Sequence, residues 1–404
     1  MKSNNTTPEI PIDYLLEGEL PEELMFEHLT TEESQYGENN YPNKFIEKLK
    51  ETGANSFSIM PAGMAGRTVF NFLKETTTFN IINFIDNNLD KKPIYGKGVI
   101  SVKDFKSLNS SSILIIAVQS QETQQQIAEQ LRSADINYIT FDVDLYLEYS
   151  ANTSLWSKTE YSHPQEIIHK NISKLNKVYQ TLYDKQSKRV LLAILNYRLS
   201  FCKKWLTHVV SPSEKQYFEP SIYQFHAYDH FVDCGVFVGD TLLQLMKITD
   251  GKIQNYYGFE PSPYLFDMAT EAAGKQKAIT LFSIGTFSTK KKLSFNCDNM
   301  PGSHCIDKKN GSHEINVDAI DNILGDKKVT FIKMDIEGAE IESLKGAQNI
   351  IQKQYPVLAI SVYHKFDDLW EIPLLIKSYA VDYKYYLRHY TLNTSETVLY
   401  CIPK

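Results

Sequence analysis

Short apolar runs alternate with amphipathic stretches from Ser56 onward, and this alternation divides the chain. Phe57, Ile59 and Met60 predict a strand. The stretch PAGMAGR (61–67) turns into a helix carrying Val69, Phe70, Phe72 and Leu73. Ile81, Ile82, Phe84 and Ile85 predict a second strand ending in Asp86, and a polar turn leads to Val99 and Ile100. The unbroken run Ile113 to Val118 reads as a strand covered on both faces, because a strand with one wet face would alternate. A helix over 120–133 and a short strand from Tyr138 to Phe141 complete the series. Strands alternating with helices over about 90 residues predict a small parallel α/β domain. Ahead of it, residues 1–40 are polar with prolines at 8, 11 and 21 and read as an arm with one short helix. A helix from Asn43 to Thr52 follows and stops at Gly53.

Between 151 and 212 the strand pattern disappears. Ile167, Ile168, Ile172, Leu175, Val178, Tyr179 and Leu182 keep helical spacing, as do the apolar positions from Val190 to Leu206. This stretch is expected to be a helical connector, closed by Ser211-Pro212-Ser213. Alternation then resumes, with strands expected over 231–233, 256–259, 279–283, 329–334 and 357–362. Helices are expected over 241–249, 263–273, 338–353 and 370–379. The polar stretch 286–317 suits a hairpin. Two Tyr- and Thr-rich strands, 383–388 and 397–401, are expected to pair antiparallel and close a doubly wound sheet. The predicted divisions are 1–52, 53–150, 151–212 and 213–404.

The motif richest in chemistry is FVDCGVFVGDT (231–241). A strand ends in Asp233, and Gly235 and Gly239 then let the backbone turn and let a ligand approach without a Cβ in the way. Asp240 and Thr241 open a helix, where they either cap it or reach a ligand. Glu260 ends the next strand, 21 residues after Gly239. That is close to the offset of about 20 residues at which a carboxylate reads a ribose diol. The loop lacks the G-K-[ST] ending that cradles a polyphosphate. An acid, no lysine and a ribose-reading glutamate suit a nucleoside that carries a cation, and S-adenosylmethionine is such a ligand.

Five segments extend the pattern in order: QYFEPSIY (216–223), FVDCGVFVGDT, YGFEPSP (257–263), FIKMDIEGAEIESLKGA (331–347) and AISVYHKFDDLWEIPLLI (359–376). Together they resemble the FkbM family of S-adenosylmethionine-dependent methyltransferases, from about residue 213 to the end. The resemblance implies a class I methyltransferase sheet, joined to the smaller Rossmann-like α/β domain by the helical connector. It implies that Asp233, Gly235, Phe237, Gly239, Asp240 and Thr241 face the methionine part of the cofactor. Glu260, Pro261 and Ser262 then line the adenosine side, with Ser283 and Ile284 near the adenine. It also implies methylation of a hydroxyl, on a sugar or related acceptor in glycan or natural-product biosynthesis.

Asp335 and Glu337 follow the strand VTFIKM. The carboxyl ends of strands at a switch point are where open α/β sheets bind ligands. These acids take a proton, hold the cofactor ammonium, or merely favour a helix dipole. His364 follows the fifth strand, and a neutral imidazole there is expected to take the proton of the acceptor hydroxyl. Tyr363 is expected to support it. Tyr217, Ser303 and His304 are further candidates for contact with the acceptor. The spacing of Asp335, Glu337 and His364 does not by itself require a metal ion, and none is assigned.

In the first α/β domain, Pro61 stands where a dinucleotide fingerprint has its first glycine, while Gly63, Gly66 and Asp86, 23 residues after Gly63, keep the rest of the pattern. The expectation there is either a nucleotide or nucleotide-sugar site, or a docking domain that has lost it.

Composition narrows the picture. The chain of 404 residues has 42 Lys and Arg against 49 Asp and Glu, a net charge of −7, which argues against a nucleic-acid partner. Five cysteines without a C-x-x-C pair imply neither a disulfide framework nor a zinc site, and fit a cytoplasmic protein. No apolar run reaches the ~18 residues of a membrane span. Two other readings stand beside the methyltransferase: a nucleotide-sugar-binding oxidoreductase and a non-catalytic binding module. The oligomeric state is open.

Overall fold

The computed structural model describes residues 41–88, 93–108, 112–118, 120–143, 146–147, 150, 164–200, 204–295 and 313–404. The expected arm over 1–40 and the candidate residues Ser303 and His304 lie outside the described residues. The described residues fall into two compact units, one within Ser34–Glu160 and one within Tyr161–Lys404.

The first unit is built on five parallel strands: β1 (Ser56–Met60), β2 (Asn80–Ile85), β3 (Val99–Ile100), β4 (Ile113–Val118) and β5 (Tyr138–Asp142). Their order is β3-β2-β1-β4-β5, and every neighbour pair is parallel. The run Ile113 to Val118 is the strand that this order places beside β1, and Leu114 to Ala117 are fully buried. The helix Met64–Thr76 lays Val69, Phe70, Phe72 and Leu73 against the sheet. A helix over Val102–Leu108, too short to have left a clear period, was not anticipated.

The second unit carries seven strands: β6 (His230–Cys234), β7 (Asn255–Phe259), β8 (Ile279–Phe282), β12 (Phe331–Met334), β13 (Val357–Ser361), β14 (Tyr383–His389) and β15 (Thr397–Pro403). The order is β14-β15-β13-β12-β6-β7-β8. All neighbours are parallel except β15, which runs antiparallel to both β13 and β14, as the terminal Tyr-rich pattern predicted. The order reverses between β6 and β12, which pair directly with Asp233 opposite Lys333 and Cys234 opposite Met334. The tips of β7, β6, β12 and β13 therefore stand side by side at one edge.

A small second sheet flanks this edge. It joins β9 (Gly285–Thr286), β10 (Lys291–Phe295) and β11 (His313–Asp318), with β10 and β11 antiparallel. The hairpin expected over 286–317 is present in these strands. The helix expected over 338–353 is two helices, Glu340–Gly346 and Gln348–Gln354. The backbone of Phe287 crosses at Gly346, the last residue of the first, where a Cβ would lie 2.0 Å from its carbonyl oxygen.

The helix Lys185–Ser200 belongs to this unit's core. Val190 to Leu195 and Tyr197 are all 3% exposed or less. It is tied to β14 by Arg388, which donates to Asp184 Oδ2 (2.7 Å) and to Ser187 Oγ (2.9 Å). Arg198, also buried, donates to the Phe366 carbonyl at 2.7 Å.

Candidate active site

Two buried charges fix the centre of the edge. Lys333 interrupts the apolar strand β12 and needs a partner there. It finds Asp233 across the strand pair at 2.8 Å, and its Nζ also donates to the Gly235 carbonyl at 2.7 Å. Tyr256 donates its hydroxyl to the other Asp233 oxygen. Asp233 is fully buried and does not line the cavity below. Its place is beneath the glycine loop, which corrects the expectation of a direct ligand contact. Lys333 is held protonated by Asp233 against the opposing effect of burial.

The loop geometry revises the roles of its glycines. Gly235 has φ +86°, and a Cβ on it would lie 2.0 Å from the Asp335 carbonyl oxygen. The close approach that excludes a side chain is thus the backbone beyond β12, although Gly235 also lines the cavity. Gly239 has φ +87° and caps the helix Asp240–Ile248, with Ala272 2.9 Å from where its Cβ would be. It packs helix on helix and does not line the cavity. Asp240 is therefore in the first turn and not the cap, where it complements the dipole. Both Asp240 and Thr241 line the cavity.

Glu260, at the tip of β7, is 6% exposed. Its Oε2 accepts from the Phe237 N–H at 3.0 Å and its Oε1 from the Ser262 N–H at 2.9 Å. Burial raises its pKa, outweighing those two bonds. Ser262 serves this turn and caps the helix Pro263–Ala273, away from the cavity. Ser283 is exposed, and neither it nor Ile284 lines the cavity, whose wall is formed there by Gly285, Thr286 and the small sheet.

The cavity has a volume of about 360 Å³. One wall is apolar: Pro261, Leu265, Leu293, Ile315 and Val317. The other end is acidic and aromatic, with Asp335, Glu337, Glu396, Tyr217 and Tyr363. Asp335 Oδ2 accepts from Tyr217 (2.8 Å) and Oδ1 from Tyr363 (3.0 Å). Burial pushes the Asp335 pKa up, but His364, Lys333 and the two hydroxyls outweigh it and hold it below the usual carboxylate range. Burial and then Asp335 hold the Tyr217 phenol well above its usual pKa, so it remains a donor. Tyr363 Oη also donates to Glu396 at 3.3 Å, and Gln216 donates to the second Glu396 oxygen. Burial and then Asp335 raise the Glu396 pKa.

His364 is not on the cavity surface. Its ring is only 7% exposed and lies behind the acids, with Nδ1 2.9 Å from Glu340 and Nε2 3.4 Å from Asp335 and 3.6 Å from Glu337. Burial lowers its pKa, but the three carboxylates, Glu340 foremost, push it up to about 10. The neutral imidazole base expected near pH 7 is therefore corrected: in this charge cluster His364 is an imidazolium.

Four contributors escaped the sequence reading. Lys333 left a signal, since a lone charge inside an apolar strand must be paired. Glu340, Gln216 and Glu396 left none, because a charged or amide residue in a helix turn or a loop is ordinarily solvated.

The family model of the methyltransferase FkbM domain matches residues 233–389, which span β6 to β14 and every strand tip described above. These residues are a methyltransferase FkbM domain. The crystal structure of methyltransferase FkbM from Methylobacillus flagellatus KT superposes with a TM-score of 0.70 at 23% identity, covering 97% of this chain and 99% of that one. A putative rRNA methylase from Clostridium thermocellum is more distant, with a TM-score of 0.30 at 13% identity over 48% of this chain and 97% of that one. No curated protein matches the chain. The FkbM domain of residues 233–389 is that of a methyltransferase, and the sheet that carries it is of the class I kind. Among the described residues, no helix is long and apolar enough to cross a membrane.

In the first unit, Gly63 lines an open groove with Met64, Arg67 and Tyr95, whereas Gly66 and Asp86 do not. A Cβ on Gly66 would strike the Pro61 carbonyl oxygen at 2.2 Å. Asp86 is buried and accepts from the Ala62 and Asn88 N–H groups at 2.9 Å each. The three residues named for a nucleotide are thus not gathered on one surface.

Proposed function

We propose that this methyltransferase uses S-adenosylmethionine, bound in the cavity at the tips of β6, β7 and β12, to methylate a hydroxyl of a small polar acceptor such as a sugar. The observation that carries the reading is the sign of the lining. Asp240, Glu260, Asp335, Glu337 and Glu396 stand against one lysine, which is itself paired with the buried Asp233. Such a pocket favours a cationic ligand and disfavours a phosphate.

The donor set fits the parts of that cofactor. Each Glu260 oxygen accepts one backbone N–H and retains a further lone pair, which suits the two hydroxyls of a ribose. The apolar wall of Pro261, Leu265, Leu293, Ile315 and Val317 suits a flat heterocycle. The excess of acids in the lining suits an ammonium and a sulfonium. When bound, S-adenosylmethionine supplies an electrophilic methyl group.

The chain's own residues do the rest. Gln216, Tyr363, Glu337 and Glu396 offer donors and acceptors that hold and orient an alcohol, and positioning is the larger share of the work when the electrophile is already reactive. The proton of that alcohol goes to a carboxylate. Of the two carboxylates that share the Tyr363 hydroxyl, Glu396 is the better base, because its pKa is raised whereas that of Asp335 is lowered. The reaction is assigned to the cytoplasm, in keeping with the buried free thiols Cys234 and Cys401.

Incubation of the full-length protein with methyl-labelled S-adenosylmethionine and a metabolite extract, followed by mass spectrometry, tests the reading. Label on the oxygen of a small hydroxylated compound is expected. Label confined to nitrogen, to protein or to nucleic acid would refute the acceptor assignment.

A further inference from the structure

His364 and the acids around it are arranged more closely than the methyl-transfer reading requires. One oxygen of Asp335, one of Glu340 and one ring nitrogen of His364 all lie within 4.8 Å of one another. Two ligands on one ion, with bonds of about 2.1 Å, stand about 3–4 Å apart, so a single ion closes this span with side-chain shifts of about 1–2 Å. The separations on the Nε2 side, 3.4 Å to Asp335 and 3.6 Å to Glu337, are too long for good hydrogen bonds but suit neighbours around a metal.

A second, independent observation points to a ligand. The His364 side chain is 7% exposed, yet neither ring nitrogen makes an aligned hydrogen bond within the described residues, despite the 2.9 Å approach of Glu340 to Nδ1. Glu340 is 1% exposed, and its Oε2 also has no hydrogen-bond partner. Its Oε1 accepts the Ile336 N–H at 2.9 Å, which aims the carboxylate into the cluster. Buried polar atoms without partners are rare, and each calls for a group that satisfies it.

We propose that Asp335, Glu340 and His364, with Glu337 at the open edge, form a site for one divalent cation beside the acceptor end of the cavity. The donors are oxygen-rich with a single imidazole and no thiolate, which selects a cation of the Mn²⁺ or Zn²⁺ kind over a soft one such as Cu⁺. Glu337 is one-third exposed, has a left-handed backbone, φ +55°, and lines the cavity. The inference rests on the proposed function for the identity of the cavity, and on the side-chain cluster for the ion.

Chelator-treated full-length protein titrated with Mn²⁺ and followed by electron paramagnetic resonance provides the test. One saturable Mn²⁺ per chain is expected. Affinity should fall about tenfold or more in Asp335→Asn and in His364→Gln, each checked for an intact thermal transition. Absence of saturable binding, or unchanged affinity in either variant that folds, overturns the proposal. Calorimetry of the same samples with S-adenosylhomocysteine separates the two claims. Nucleoside binding without Mn²⁺ uptake removes the ion and leaves the cofactor reading. Mn²⁺ uptake without nucleoside binding does the reverse.

Discussion

At His364 the balance between burial and charge decides what the residue does. Burial alone would make it a neutral imidazole, but Glu340, Asp335 and Glu337 reverse that and hold the proton up to about pH 10. The folded pKa lies above the ordinary value of 6.5, so the proton stabilises the fold. That contribution is complete below about pH 6.5 and is lost as pH rises through about 10. In chelated protein, the stability gap between wild type and His364→Gln should therefore be largest near pH 6 and shrink steadily toward pH 10. Urea unfolding across that range measures it. A gap that stays constant, or widens with pH, would mean that the ring is neutral in the fold.

At the scale of the element, the helix Lys185–Ser200 shows why a boundary read from composition is unsafe to cut. Val190, Leu191, Leu192, Ile194, Leu195 and Tyr197 are buried within the second unit. At about 1.5–3 kcal/mol for each large side chain, their loss is as large as the whole 5–15 kcal/mol by which a domain is usually stable. A chain beginning at Ser211 should lack a cooperative urea transition, whereas one beginning at Tyr161 should keep it. Near-ultraviolet circular dichroism distinguishes them, and a native spectrum from the shorter chain would contradict this account of the core. The strands were legible because runs such as Ile113 to Val118 and Phe331 to Met334 are unbroken and few alternatives bury them. Glu260 was legible from its offset to the glycine loop. The need for a glycine at 346 was not, since it depends on the Phe287 backbone, 59 residues away in the chain. Nor was the charge state of His364, because Glu340 meets it only once β12 and β13 are paired.

At the scale of the whole molecule, the two units share one device. In each, the acid ending the second strand accepts an N–H from the loop after the first strand and another from two residues further on. Asp86 holds Ala62 and Asn88; Glu260 holds Phe237 and Ser262. The difference is that Glu260 lines a cavity with four other acids, whereas Asp86 does not line the groove beside Gly63. On that contrast rests the proposal of a nucleoside cofactor in the second unit. Titration calorimetry of the full-length chain with S-adenosylhomocysteine tests this most directly. One site per chain is predicted, weakened about tenfold to a hundredfold in Glu260→Gln, as expected for a lost charged hydrogen bond of about 1.5–3 kcal/mol. No binding to the wild type, or equal affinity in the variant, would contradict it.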